Sequence, residues 1–234
     1  MIKKIITIAI SFLIFFPLSE ARLEKPAWRE GNYWKYEISL NKTKKDVLTV
    51  KIEKKEIIEY ENNSYEVFNI SQISEKGSKR ISYIRVGDLA TLKDIDFYEG
   101  KELERIYSPP AHFFLYNIDV GEMISQFFKV SNGGTVYISI QSQCIGKEEI
   151  KINSEKYECY KIVEKRRYGN ENLSYVFYYS EKTGNWIKMV GLNESIEIIL
   201  LETNYNIKKT PLPTAILFFS LIISIIFRKM KKLF

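Results

Sequence analysis

The sequence predicts a mainly β domain, a large curved antiparallel sheet in a half-barrel-like meander that carries a short apolar plug segment. Three observations predict it. Apolar and polar residues alternate with period two, the alternating runs are rich in β-branched and aromatic residues, and short clusters of turn formers separate them. Parallel pairing needs long crossover connections, and the breaks here are too short for them.

Asn32 to Leu40 is the first strand-like run. In the next, Leu48, Val50 and Ile52 alternate with Thr49, Lys51 and Glu53. The turn cluster Glu61-Asn62-Asn63-Ser64 leads into Ser64 to Ile73, and Glu75-Lys76-Gly77-Ser78 leads into Lys79 to Val86. Tyr98-Glu99-Gly100 precedes Glu102 to Tyr107. After Ser131-Asn132-Gly133-Gly134, Val136, Ile138 and Ile140 alternate with Tyr137, Ser139 and Gln141. Ile150 and Ile152 alternate with Glu149 and Lys151, and a turn at Asn153 to Lys156 opens Tyr157 to Glu164. Leu173 to Tyr179, Trp186 to Val190 and Glu194 to Thr203 complete a set of roughly ten strands. A single layer of that size has one apolar face and must curl or be covered.

Pro109 to Phe128 breaks the pattern. Phe113, Phe114, Leu115, Tyr116, Ile118, Val120, Met123, Ile124, Phe127 and Phe128 crowd it without strict alternation. Pro109-Pro110 opposes helix before it, Gly121 to Phe128 is read as a short helix, and the whole stretch is expected to cover the concave face.

The two ends carry a topology. Residues 1–21 read as a signal peptide: Lys3 and Lys4 precede the apolar run Ile5 to Leu18, and Ser19 and Ala21 supply the small residues of a cut before Arg22. Residues 210–234 read as a transmembrane helix and anchor, with Thr214 to Phe227 uncharged and Arg228, Lys229, Lys231 and Lys232 forming a basic cytoplasmic tail. Uncut, the first segment is a signal helix that serves as a second anchor. Residues 22–209 are then an extracytoplasmic β domain on a single-pass cell-membrane protein.

Most of the formal charge of +6 belongs to those ends. Residues 22–209 keep 29 basic and 28 acidic side chains, interleaved as in Lys51 to Glu56, so no basic stripe remains to neutralise a phosphate backbone and nucleic acid is excluded as a partner. That stretch also holds all 16 Tyr and all three Trp, enough to build a core.

Cys144 and Cys159 make an even pair in an oxidising compartment and are expected to form a disulfide. A simple hairpin would leave them about six residues apart along the strand, on the order of 20 Å, so the bridge requires a break at Ile145-Gly146. Two buried thiols are the alternative. Sequons at Asn41, Asn62, Asn69, Asn172 and Asn193 are the expected glycan acceptors.

Chemistry is harder to find. His112 is the single histidine, too few for a zinc site or a hydrolase triad in a chain without a Gly-x-Ser-x-Gly element. The neighbouring carboxylates Glu148 and Glu149, and Asp94 and Asp96, read as solvated. No phosphate-cradling glycine loop is present in the sequence. The expectation is a protein that is not an enzyme, with no catalytic residue, no metal site and no cofactor.

Three segments carry a resemblance. Pro109-Pro110, the aromatic run and Asp119-Val120-Gly121-Glu122 come first, followed by the hairpin Gly146 to Ile152 and Tyr157 to Ile162, then Tyr178 to Lys188. In that order, across about residues 28–203, they resemble uncharacterised extracytoplasmic domains related to lipoprotein-carrier half-barrels. The resemblance implies an antiparallel sheet curved about an apolar interior, which in the carriers holds acyl chains. No catalytic residue carries over. With Phe113, Phe114, Tyr116, Met123 and Phe127 as the candidate ligand contacts, the expected function is non-catalytic binding of a lipid-like or other apolar ligand. A structural or adhesive envelope protein with a solid core, partnered by another envelope protein, is the alternative.

Overall fold

The computed structural model describes residues 22–41, 44–192 and 195–206. The expected signal peptide, the expected membrane anchor and Asn193 lie outside the described residues. Among the described residues no helix is long and apolar enough to cross a membrane.

Among the described residues fourteen strands follow one another: β1 (Arg22–Leu23), β2 (Tyr33–Leu40), β3 (Lys44–Tyr60), β4 (Asn63–Ser74), β5 (Lys79–Arg85), β6 (Thr91–Tyr98), β7 (Lys101–Ala111), β8 (Ile118–Asp119), β9 (Met123–Ser131), β10 (Thr135–Ile152), β11 (Glu155–Tyr168), β12 (Glu171–Ser180), β13 (Asn185–Gly191) and β14 (Ile196–Thr203). Every pairing is antiparallel. Twelve of the strands form a closed barrel, each beside its neighbour in sequence, with β8 set aside to pair with β1.

The half-barrel expectation is thereby corrected. The last strand, β14, pairs with the first barrel strand, β2, placing Ile198 opposite Ile38 and Leu200 opposite Tyr36. Closure removes both free edges, which an open meander would leave to pair with other chains. Bulges between Ile52 and Lys54, Tyr83 and Ile84, Cys144 and Gly146, and Tyr178 and Tyr179 add the local bend that closure needs.

The helix expected over Gly121 to Phe128 is corrected as well. Met123 to Ser131 is β9, bridging β7 and β10. Successive residues of a strand point to opposite faces, so Phe128 is buried and faces inward while Phe127 is 62% exposed on the outside. Only the first half of the apolar stretch serves as a plug.

That plug closes one end of the barrel. Leu23 pairs with Ile118, and both are buried together with Trp28 and Leu115. Trp28 meets Phe114 edge-on at 5.1 Å and Trp34 at 5.5 Å, with Trp34 contributed by the β2 wall. Indole N–H groups in an apolar core need acceptors, and they find them on one turn: Trp28 Nε1 donates to the Gly184 carbonyl at 2.8 Å and Trp34 Nε1 to the Thr183 carbonyl at 2.7 Å. The turn residue Gly184 has φ of 63°, and a Cβ there would lie 2.4 Å from the Tyr205 ring. Only glycine fits both the backbone and the stacking. Tyr205 follows β14 and its hydroxyl accepts from Ala27 N, so the described N- and C-terminal ends both leave at the plugged end.

The expected disulfide is absent, and both cysteines are buried free thiols. The bulge falls at the predicted break, but it shifts the register too little. Cys144 pairs with Ile162 and Cys159 with Glu148, an offset of three residues along β11, about 10 Å, beyond the ~7 Å limit for a bridge. Burial pushes the Cys159 thiol up to about 12, so it stays protonated. Asn41 and Asn62 sit on exposed turns and Asn172 is exposed, whereas Asn69 is half-buried within β4 with its amide donating to Glu56 at 2.8 Å.

Candidate functional site

Beyond the plug the lumen is not filled. A cavity of about 560 Å³ opens toward the opposite end, the end that carries the β4–β5, β6–β7 and β9–β10 turns. Its volume lies within the ~300–1,000 Å³ range of small-molecule pockets.

The wall divides by chemistry. Ile84, Val130, Ile138, Phe177, Met189 and Trp186 give one apolar part, joined by Phe113 and Phe114 from the plug side. Gln72, Arg80, Ser82, Asp94, Arg105 and Tyr107 give a polar part contributed by β4 to β7. Register explains the grouping: Ser82, Asp94 and Arg105 lie opposite one another across three strands, and Gln72, Arg80 and Asp96 form the next row.

Within that row Asp96 is shared. Arg80 Nε donates to Asp96 Oδ1 at 2.6 Å, and Arg105 forms an ion pair with the other carboxylate oxygen. Asp94 is 4% exposed; its Oδ2 accepts from the Tyr107 hydroxyl at 2.7 Å, while its Oδ1 has no hydrogen-bond partner. Burial, then the charge on Asp94, drives the Tyr107 hydroxyl well above the usual phenol range and keeps it a donor.

A second buried ion pair stands on β11. Glu164, 1% exposed, accepts from Arg166 Nε at 2.5 Å and from Ser142 Oγ at 3.0 Å. The Arg166 guanidinium lies over the rings of Tyr175 at 5.1 Å, Phe113 at 5.5 Å and Phe177 at 5.9 Å. Burial works against its charge, but Glu164 and Tyr168 together outweigh burial and the pKa is raised.

Of the five residues expected to meet a ligand, Phe113 and Phe114 line the cavity. Tyr116 is fixed in the plug, its hydroxyl donating to the Gly184 carbonyl at 3.3 Å and its ring edge-on to Tyr179 at 5.8 Å. Met123 and Phe127 face outward, 50% and 62% exposed, with Phe127 stacked on Tyr137 at 5.7 Å. Asp94 and Asp96, read from sequence as solvated, are inside the barrel. Arg80, Arg105, Glu164 and Arg166 are not singled out by the sequence reading. The signal was their phase: Glu164 and Arg166 continue the inward stripe of Tyr160 and Ile162 along β11, as Arg80 continues that of Ser82 and Ile84 along β5.

His112 lies 3.8 Å from Asp88, each well exposed, away from that polar wall. Among the described residues no group of three His, Cys, Asp or Glu side chains is placed to hold a metal ion.

Fold and cavity together define the class: an antiparallel twelve-stranded barrel, plugged at one end and hollow at the other. No protein-family model matches the chain, and no curated protein matches its sequence. Among solved structures the chain is similar to the hypothetical lipoprotein YmcC of Escherichia coli, at 14% identity and TM-score 0.43, over 77% of this chain and 86% of that one. It is also similar to a protein described as a candidate lipoprotein of Parabacteroides distasonis, at 14% identity and TM-score 0.45, over 79% of this chain and 100% of that one. A third similar structure is a candidate exported protein with a YmcC-like fold from Bacteroides fragilis, at 11% identity and TM-score 0.44, over 79% of this chain and 100% of that one.

Proposed function

We propose that this chain is an exported, membrane-tethered, non-catalytic binding protein whose barrel shelters a lipid-like ligand in its lumen. The observation that carries the reading is the cavity of about 560 Å³, walled by buried aliphatic and aromatic side chains on one side. An apolar ligand seated there would take those aliphatic and aromatic side chains out of water and gain contacts with them. The alternative of a structural envelope protein with a solid core loses support from the same unfilled lumen. The apolar ends of the sequence, Ile5 to Leu18 and Thr214 to Phe227, support export and tethering.

Native mass spectrometry of the full chain, gently extracted from its membrane, tests binding. One amphiphile-sized adduct is expected on the wild-type protein. Met189→Trp, which enlarges a side chain on the cavity wall, is expected to remove at least about nine-tenths of that adduct while the fold persists. A wild-type spectrum showing only the bare chain mass would overturn the reading.

A further inference from the structure

The lumen's polar wall specifies what kind of head group a ligand would carry. We infer that the ligand sheltered in the barrel bears an uncharged, hydroxyl-rich head, of the glycerol or sugar type, seated against Asp94, Arg80 and Arg105. This deepens the binding reading above and rests on it.

The first strand of the argument is charge. Two guanidinium groups, Arg80 and Arg105, face two carboxylates, Asp94 and Asp96, so the cluster sums to zero. An anionic or cationic head brought into this half-buried wall would add a charge with no counter-charge left to pair it, and desolvating an unpaired charge is costly. The Arg166 and Glu164 pair is likewise closed on itself, so it supplies no spare charge of either sign.

The second is unspent hydrogen bonding. Asp94 Oδ1 is a buried acceptor with no partner. Arg80 engages Asp96 through Nε and Arg105 engages it through one terminal nitrogen, which leaves further N–H donors on each fork. The wall therefore asks for a group that both donates and accepts within a few ångströms. A hydroxyl does both at one atom, and a polyol repeats the pattern along a short backbone. A bare carboxylate accepts only and leaves Asp94 unmet; a quaternary ammonium neither accepts from the arginines nor offers an N–H to Asp94. The apolar wall of Ile84, Val130, Ile138 and Met189 then takes the hydrocarbon body.

The test uses the full chain in lipid nanodiscs and four photoreactive probes with one shared twelve-carbon diazirine chain: a glycerol monoester, a glucoside, a carboxylate and a trimethylammonium. Cross-links are mapped by mass spectrometry. At equal concentration the glycerol or the glucoside probe is expected to label lumen residues such as Val130, Ile138 and Met189 at least about tenfold more than either charged probe. The better of the two neutral heads separates a glycerolipid from a glycolipid. Asp94→Asn, close in shape, is expected to cut that preference several-fold with far-UV circular dichroism unchanged. Equal or stronger lumen labelling by the carboxylate or the ammonium would overturn the head-group inference and leave the binding reading standing. No lumen labelling by any of the four probes would overturn both.

Discussion

Trp34→Ala is expected to destabilise the barrel by about 4 kcal/mol, a large share of the ~5–15 kcal/mol that holds a domain folded. Trp34 is fully buried at the junction of the β2 wall and the plug. It packs on Trp28 and stacks on Tyr205 at 6.1 Å, and its Nε1 satisfies the Thr183 carbonyl. Truncation removes the ring, opens a void that the closed barrel cannot collapse around, and leaves that carbonyl without its donor. For a domain of this size the melting temperature should fall on the order of 10 °C, measured by differential scanning calorimetry. Because both described chain ends meet at this point, protease cleavage after Arg29 is expected to accelerate in the same variant. A melting temperature within about 2 °C of wild type would show that Trp34 does not tie the plug to the wall.

Glu164→Ala is the second large effect, expected to cost about 3 kcal/mol. The substitution strands the Arg166 guanidinium among Phe113, Tyr175 and Phe177, and it removes the acceptor for Ser142. Replacing the pair together, Glu164→Leu with Arg166→Met, removes both charges and should cost less than Glu164→Ala alone. Urea midpoints of the wild type, Glu164→Leu, Arg166→Met and the double variant give the coupling. If the double variant were as unstable as the sum of its singles, the two side chains would not be acting as a pair.

Strands were legible wherever one face met the core and the other met water. The alternation of Val50 and Ile52, or of Ile138 and Ile140, placed those residues inward as the structure does. Turns with Gly or Asn were legible for the same local reason, and Gly77, Gly100 and Gly133, all at positive φ, sit where the sequence puts breaks. Closure was not legible, since it depends on β14 meeting β2 more than 150 residues earlier, which no local pattern encodes. Gly121 to Phe128 misled because β9 is apolar on both faces: Phe128 packs inside while Met123 and Phe127 are left outside, and without alternation a strand imitates a helix. The polar wall was hidden by a habit of reading. Lys, Arg, Asp and Glu are usually solvated, so Asp94 reads as solvated and Arg80 and Arg166 are not singled out, although their strand phase points inward.

The central claim is an open, ligand-accessible lumen above a sealed plug, and thiol accessibility tests it most directly. Cys144 and Cys159 are buried and will not compete, so single reporters can be added to the full chain. Gln72→Cys, half-buried on the cavity wall, should react with a small water-soluble methanethiosulfonate within minutes in the native state and be protected by a twelve-carbon amphiphile. Val50→Cys, buried and away from the cavity, should remain unreactive until the chain is unfolded. A Gln72→Cys protein that resists the reagent as completely as Val50→Cys would mean that the lumen is closed, and the binding role would fall with it.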